Sequence, residues 1–288
     1  MRRQLRRDLS RELVGQLVSL KGPQNFLASV AARVRSSHTC YAMSHNTSAN
    51  MRPSSTAITL SIVVPVKTVS PGFADLLRAL DDADCEVIVV QAQGSELSGG
   101  QYDGLNANTK WTSAPPSRGG QIAKGIKHSR GDMIWVLHAD STGVGQALAY
   151  LKTMAALGKP VWGRFDIRLI GHHFGLVWVA RMMNWRSRLT RICTGDQGMF
   201  FHRCLLLQAG GFPAQRLMED IEISKRLRRG GRFSAPGISI CTSGERWERS
   251  GFWRTIARMW QWRLRYFFGA SADQLYDEYY GSQSGELP

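Results

Sequence analysis

From Ile58 onward, apolar runs alternate with amphipathic segments. The runs ITLSIVVPV at 58–66 and CEVIVVQA at 85–92 are unbroken, which predicts strands that are buried on both faces. Between them, FADLLRALDDA at 73–83 places its apolar residues on one side of a short helix. The next elements are a short strand at 110–114, a helix at 121–129 and the apolar strand DMIWVLHA at 132–139. Strands that alternate with helices are typical of βαβ units, so the sequence predicts an α/β fold with a mostly parallel sheet flanked by helices.

The second half of the chain carries longer segments of the same two kinds. They predict helices at 145–157, from about Phe174 to Leu189 and at 217–231, and strands at 160–169 and 232–243. An aromatic and basic helix, GFWRTIARMWQWRLRYFF at 251–268, follows. We therefore expect one domain from residue 57 to 288 that includes a C-terminal aromatic and basic helix.

Residues 1–56 differ in composition from the rest of the chain. They carry nine basic and two acidic side chains, and they lack a packing period. This predicts a basic, disordered extension. Its Arg-rich and Ser-rich composition is also typical of a transit peptide, while Met43 and Met51 are alternative starts of the chain.

The net charge of +15 and the pI near 10.2 indicate a polyanionic partner such as a phosphate, a nucleic acid or an anionic lipid. No RNP, helix-turn-helix or zinc-finger signature is present, so we expect no specific nucleic-acid recognition. The five cysteines are scattered and form no CxxC pair, which favours a reduced, cytoplasmic compartment. No segment reaches the ~18 uncharged apolar residues that a spanning helix needs, which excludes a transmembrane protein.

Acidic residues at two places in the sequence are candidates for chemistry. Asp140 follows the strand MIWVL, and ligands of open α/β sheets lie at the carboxyl ends of parallel strands. Its carboxylate could hold a divalent cation that neutralises a diphosphate, or it could cap the helix that begins near Gly143. Glu219 and Asp220 start a helix, where acids also favour the positive end of the helix dipole.

The order and wording of several segments resemble a known family. These segments are LHADS, WGRFDIRL, NWRSRLTRICTGDQGMF, GGFP, LMEDIEISKRLRRGGR and MWQWRLRYFFGAS. The chain resembles the family-two inverting GT-A glycosyltransferases, and within them the bacterial subgroup associated with radical-SAM and selenodomain proteins. The resemblance implies a GT-A (Rossmann-like) fold and transfer of a sugar, with inversion, from a nucleotide diphosphate donor to an acceptor hydroxyl.

The resemblance also implies the catalytic and metal-binding residues. Asp140 matches the last position of the family's DxD-like element and His138 the first, so both are candidate ligands of Mn²⁺ or Mg²⁺. Asp220 matches the family's catalytic base, which accepts the proton of the acceptor hydroxyl. Glu219 is its neighbour and could orient it.

Other candidates match positions that bind the donor or the acceptor. Arg246 and Trp247 resemble the RW element that contacts phosphate and sugar, and Arg118 matches a position near the donor. Gln91 stands where the family has a nucleobase-binding Asp, and after the first strand Pro65-Val66-Lys67-Thr68-Val69 stands where the family has Pro-x-x-Asn-Glu. Asp196 and Gln197 suit hydrogen bonds to acceptor hydroxyls, although a turn explains Gly-Asp equally well.

Two alternatives stay open at this point. The departures at Gln91 and Lys67 are compatible with a degenerate, catalytically inactive transferase that acts as a basic binding protein. The helix at 251–268 could lie peripherally on the inner face of a membrane, which would suit a lipid-linked acceptor. It could instead pack its aromatic side chains inward with the arginines pointing to solvent.

A GxGxxG turn after the first strand is missing, which argues against nicotinamide or methyl-donor chemistry.

Overall fold

The computed structural model describes residues 58–95, 99–245 and 251–281, so the extension expected at 1–56 lies outside them. The strands are β1 (Leu60–Val66), β2 (Cys85–Ala92), β3 (Thr109–Ala114), β4 (Met133–Val136), β5 (Val161–Gly163), β6 (Asp166–Ile170), β7 (Phe200–His202), β8 (Arg232–Ser234) and β9 (Ser239–Ser243). The helices are α1 (Phe73–Ala79), α2 (Arg118–His128), α3 (Gly145–Ala156), α4 (Gly175–Thr190), α5 (Arg203–Gln208), α6 (Glu219–Leu227), α7 (Phe252–Phe267) and α8 (Ala272–Gly281). Short 3₁₀ turns lie at Gly99–Tyr102 and Gly195–Gln197.

Seven strands form a mostly parallel sheet in the order β3-β2-β1-β4-β7-β5-β8. Strands β3, β2, β1 and β4 are parallel to one another, and β7 is antiparallel to both of its neighbours. Strands β6 and β9 pair separately as a second, two-stranded parallel sheet. The predicted fold class, α/β with a mostly parallel sheet flanked by helices, is confirmed.

The central strands are buried on both faces, as their unbroken apolar runs predict. In β1, Ile62 and Val64 belong to one apolar cluster and Val63 to the other, because successive side chains of a strand point to opposite faces. In β2, Val89 and Ile88 divide in the same way. Each fully buried aliphatic side chain of this kind contributes about 1.5–3 kcal/mol of transfer free energy. Strands β1 and β2, together with the fully buried β4, thus form the centre of the core, and β3 is an edge strand.

Two of the predicted strands are divided in the structure, so the prediction of single strands at 160–169 and 232–243 is wrong. Each is split between the large sheet and the small one: β5 and β8 pair in the first, and β6 and β9 in the second. The approach of β5 to β8 is so close that a Cβ on Gly163 would lie 1.8 Å from the carbonyl oxygen of Ser234. Hydrophobic periodicity alone does not show these breaks, although Pro236-Gly237 mark the second of them in the sequence.

A buried arginine stands at the first of these breaks. Arg164 is fully buried and pairs with Asp166, and its Nη2 donates to the carbonyl oxygen of Asn184 at 2.7 Å. The side-chain amide of Asn184 in turn bonds both backbone groups of Ile167, in β6. This polar group joins α4 to the small sheet where the chain changes sheets.

Helix α7, the aromatic and basic helix, does not bury all of its aromatic side chains. Its half-buried side includes Trp262, Arg263 and Tyr266, whereas Trp253 and Trp260 are exposed. Inward packing of the aromatic side, with all arginines outside, is therefore wrong for this helix. Within the described residues, no helix combines the length and apolar character that crossing a membrane requires.

Candidate functional site

The carboxyl end of β4 and the segment before β7 meet at one edge of the large sheet. Because β7 runs antiparallel to β4, the residues that precede it lie beside those that follow β4. The N–H of Val136 accordingly donates to the carbonyl oxygen of Met199 at 2.8 Å. His138 and Asp196 are thereby brought together, with 3.1 Å between Nε2 and Oδ1.

Arg118 lies at the centre of this edge. It is the first residue of α2, whose N-terminus is capped by the Ser117 hydroxyl, which accepts from the N–H of Gly120. One guanidinium nitrogen of Arg118 donates to the Glu219 carboxylate, and Nη2 lies 2.9 Å from Nε2 of His138. The resemblance implies a place near the donor for Arg118, which stays a prediction; the structure shows which groups hold its side chain.

The guanidinium of Arg118 packs directly on Gly195. A Cβ on this glycine would lie 2.4 Å from each of the two terminal nitrogens, which is far below any contact distance. A side chain at position 195 would therefore displace the Arg118 guanidinium from its present position beside Glu219.

The ion pair between Arg118 and Glu219 is unequal in exposure. The Glu219 side chain is 6% exposed and that of Arg118 is 27% exposed. Burial raises the pKa of Glu219, against the opposing charge of Arg118. Burial lowers the pKa of Arg118, but the charges of Glu219, Asp220 and Asp196 outweigh it, so that this pKa is raised. Arg118 is thus a fixed cation that Glu219 holds in place. The side chains of Glu219 and Asp220 share no hydrogen bond, so Glu219 does not orient Asp220 as expected.

Asp220 is oriented by backbone groups at the start of α6. Its Oδ2 accepts from the N–H of Gly195 at 3.0 Å, and its Oδ1 accepts from the N–H of Ile221 at 2.8 Å. The preceding residue, Met218, has φ of 60° and ψ of 23°, in the left-handed region that a side chain rarely adopts. This costs on the order of 1 kcal/mol and sets the direction in which the helix begins. Asp220 is half-buried, and each of its oxygens keeps a lone pair for a substrate.

Asp140 and His138 fit a site for a divalent cation with few protein ligands. Asp140 Oδ2 accepts from the N–H of Ser243 at 3.2 Å, whereas Oδ1 is buried and has no hydrogen-bond partner in the described part of the chain. His138 Nδ1 lies 3.9 Å from that Oδ1. In the same part of the chain, no group of three His, Cys, Asp or Glu side chains could hold a metal. Mg²⁺ is commonly held by one or two carboxylates together with substrate phosphates, so this donor set fits a cation that binds together with a diphosphate.

The two ring nitrogens of His138 cannot serve all of their neighbours at once. If Nε2 accepts from Arg118, the proton of the neutral ring is on Nδ1, on the side of Asp140. If Nδ1 binds a cation, the proton moves to Nε2, where Asp196 Oδ1 can accept it at 3.1 Å. Asp196 is thus placed to orient the ring of His138.

The remaining candidates lie in different surroundings. Gln197 is fully buried: its Oε1 accepts from the N–H of Thr194, and its Nε2 donates to Asn184 and Ser187, so its amide binds the scaffold. Gln91 is half-buried near the end of β2. Arg246 and Trp247 lie outside the described residues.

One arginine near Asp220 was missed by the sequence reasoning. Burial, and after it the nearby charge of Arg263, lowers the pKa of Arg186, in α4, to about 10, while the charge of Asp220 opposes the shift. Its Nη2 is buried without a hydrogen-bond partner among the described residues. The arginine-rich segment NWRSRLTR was the available signal, but its spacing did not show which arginine turns toward the sheet edge.

Comparison with known proteins supports the fold. No protein-family model matches the chain, and no curated protein matches it. The chain is similar to the crystal structure of S. aureus TarS 1–349 in complex with UDP, with a TM-score of 0.50 and 15% identity over 64% of this chain and 60% of that one. The same fragment in complex with UDP-GlcNAc gives 0.48 and 15%, over 64% and 58%. A mycobacterial protein gives 0.42 and 17%, over 64% and 65%.

The extent of these matches limits what they show. The matched part spans less than two thirds of the length of each of these solved structures. At such identities the likeness concerns the fold alone. Together with the strand order, it shows that the chain has an α/β, GT-A-like fold.

Proposed function

We propose that the protein is a glycosyltransferase that moves a sugar from a nucleotide diphosphate donor to an acceptor hydroxyl with inversion. The observation that carries this proposal is the placement of Asp220. Its carboxylate is oriented by two backbone N–H groups at the sheet edge where the Arg118 network also lies, in a GT-A-like fold. A half-buried carboxylate in this position suits a general base.

The donor class is proposed from the fold and the charges at this edge. The TarS structure with a TM-score of 0.50 contains UDP, and we propose that the present chain also binds a nucleoside diphosphate. Arg118 is a cation at this edge, but the carboxylates of Glu219, Asp220 and Asp196 surround it, so Arg118 alone does not supply the positive charge that a diphosphate needs. Asp140 and His138 would hold a divalent cation, which supplies positive charge opposite a leaving diphosphate.

In the proposed reaction, Asp220 takes the proton of the acceptor hydroxyl as its oxygen attacks the anomeric carbon. The new carbon–oxygen bond forms on the face opposite the donor phosphate, whose bond to that carbon breaks and carries its electron pair to the diphosphate. A single displacement of this kind inverts the anomeric centre. The backbone N–H groups of Gly195 and Ile221 hold the carboxylate in place, so the base is oriented before the substrate arrives.

The rival proposal is a catalytically inactive protein of the same fold that binds anions. It is favoured by Gln91 at the position where the resembled family has an acid. The two proposals differ in turnover, because the rival predicts no hydrolysis or transfer of any nucleotide sugar with Mn²⁺ present.

The test begins with a thermal-shift screen of nucleoside diphosphates with and without Mn²⁺, since a ligand of the native state raises its apparent stability. The nucleotide sugars of any stabilising nucleotide then serve as donors, and turnover is compared between the wild type and Asp220→Asn. We expect unchanged donor affinity and a fall in turnover of about 10²- to 10⁴-fold, the usual contribution of a positioned base.

A matched control lies in the first turn of the same helix. Glu222 lies in the first turn of α6 and pairs with Arg226 at 2.8 Å. Like Asp220→Asn, Glu222→Gln removes an acid from the N-terminus of this helix. Both substitutions weaken the favourable interaction with the helix dipole, and only Asp220→Asn should reduce turnover. If Asp220→Asn lowers stability alone and leaves turnover unchanged, Asp220 is not the base.

A further inference from the structure

The outer face of α4 is apolar and exposed along its length. The exposed side chains are Phe174 just before the helix, then Val177, Trp178, Met182, Trp185 and Leu189. They recur at helical spacing, opposite the buried Leu176, Ala180 and Met183. Single exposed apolar residues are ordinary, but six on one helix face form a contiguous patch, which marks an interaction surface.

The outer face of α7 has the same character. Trp253, Trp260, Leu264, Phe267 and Phe268 are exposed, while Tyr266 on the other side turns toward α6, where Lys225 lies 4.8 Å from its ring centroid. The helix is therefore docked on the protein through one face and presents aromatic side chains on the opposite face.

The two helices approach each other near the candidate site. The Tyr266 hydroxyl of α7 lies 3.5 Å from Oε2 of Glu222 in α6, and Arg228, which follows α6, donates to the carbonyl oxygen of Thr190 at the end of α4 at 3.1 Å. Both helices therefore adjoin α6, and the charge of Arg263 in α7 lowers the pKa of Arg186 in α4. The two apolar faces thus belong to neighbouring helices.

Charge distinguishes among the partners that could cover these faces. Helix α4 contains three arginines and α7 contains four, and neither contains an aspartate or a glutamate. Arg188 and Arg265 pair with acids of neighbouring segments. Arg181, Arg254 and Arg258 are exposed and have no carboxylate partner among the described residues.

We propose that the outer faces of α4 and α7 dock together on the surface of an anionic phospholipid bilayer. Tryptophan and phenylalanine side chains enter the boundary between headgroups and acyl chains, and the exposed arginines contact lipid phosphates. The exposed Val177, Met182 and Leu189 favour lipid over a nucleic acid, because aliphatic side chains offer bases neither stacking nor hydrogen bonds. The absence of acids from both helices favours an anionic over a neutral bilayer.

The test uses the full chain and vesicles of phosphatidylcholine with or without phosphatidylglycerol, with binding measured by flotation. One variant removes two anchors from α4, Trp178→Ser with Trp185→Ser, which are 63% and 61% exposed. A second removes two from α7, Trp260→Ser with Phe267→Ser, which are 63% and 74% exposed. The exposure of all four side chains keeps the substitutions compatible with folding, which melting curves verify.

We expect binding to anionic vesicles, with the partition coefficient lowered roughly tenfold by each double variant, as loss of buried aromatic area predicts. Leu207→Ser is the matched control: Leu207 is 69% exposed on α5, outside both faces, and its removal should leave binding unchanged.

Several results would overturn the proposal. Binding that neither double variant weakens assigns the vesicle contact to another basic segment of the chain. If only one of the two double variants loses vesicle binding, the helix changed in the other variant does not contribute to the membrane-binding surface. Equal binding to neutral vesicles would show that the arginines do not contribute. If sedimentation shows a dimer of the wild type that dissociates in either variant, a second copy of the chain covers these faces. If the wild type retards a duplex RNA in a gel-shift assay and the double variants do not, these faces bind a nucleic acid. Nucleotide binding is measured separately, so failure here leaves the proposed transferase function untouched.

Discussion

The buried ion pair between Arg118 and Glu219 predicts an unequal response to losing either partner. Arg118→Met leaves the Glu219 carboxylate, whose side chain is 6% exposed, without its opposing charge. Glu219→Gln leaves Arg118, which is 27% exposed and still lies in the field of Asp196 and Asp220. The first substitution should therefore destabilise the protein more than the second.

The magnitudes follow from the cost of an uncompensated buried charge. Removing one partner of a buried pair typically costs roughly 3–5 kcal/mol, and we expect Arg118→Met to fall in this range at neutral pH. Glu219→Gln should cost about 1 kcal/mol, the value of one hydrogen bond, because the remaining guanidinium can reach solvent. The double variant carries no buried charge at this position and should be more stable than Arg118→Met alone.

The measurement is a double-mutant cycle of urea unfolding free energies, repeated across pH. In the folded protein, burial raises the pKa of Glu219 above its ordinary value of 4.5, and loss of Arg118 should raise it further. The penalty in Arg118→Met is then fully present above the folded pKa. It is relieved as the pH falls through the folded pKa and is gone below the ordinary value of 4.5, where the carboxyl is protonated in both states. Equal costs for the two single variants, additivity in the double variant, or a penalty independent of pH would refute this account.

Three further predictions concern single positions. Asp140→Asn should abolish the Mn²⁺-dependent part of the thermal shift given by a stabilising nucleoside diphosphate and leave the melting temperature without ligand unchanged; a retained shift would remove Asp140 from the cation site. Met218→Gly should not destabilise the protein despite the loss of side-chain contacts, because glycine relieves the left-handed conformation at φ of 60°, and urea unfolding checks this. Gly125→Ala should destabilise by about 1–3 kcal/mol, since its Cβ would lie 2.4 Å from the buried Val63, and this outweighs the gain of up to ~1 kcal/mol in helix propensity. Gly120→Ala in the same helix meets nothing closer than 3.4 Å and should be neutral or stabilising, so the same response at both positions would contradict the steric argument.

The sequence predicted the central sheet well because burial on both faces leaves a direct mark on residue type. Strand β2 is found at Cys85–Ala92, as its apolar run predicts, and α4 at Gly175–Thr190 lies within a residue of the expected bounds. The strands at 160–169 and 232–243 were predicted whole because the change from one sheet to the other depends on tertiary pairing. Only the structure shows that Gly163 must approach Ser234 so closely.

The candidate site was predictable in its residue types and not in its connections. Asp140, His138, Asp196 and Asp220 were singled out from the sequence, and the structure brings them to one edge of the sheet. The partner of Glu219 could not be read from local sequence, because its role depends on Arg118, which lies 101 residues away. Glu219 was expected to orient Asp220 and instead holds this arginine.

The separation of these contacts along the chain has a consequence for how the protein folds. The bond from Arg118 to Glu219 spans 101 residues, and the bond from Ser243 to Asp140 spans 103. Ordering such long loops costs entropy that local contacts do not repay, so pairings of this kind form only after the intervening chain is in place. The antiparallel β7 must be inserted beside β4 before His138 can meet Asp196. A nascent or partly unfolded chain therefore has no binding edge, and protection of the Gly195 amide from hydrogen exchange would report completion of the whole sheet.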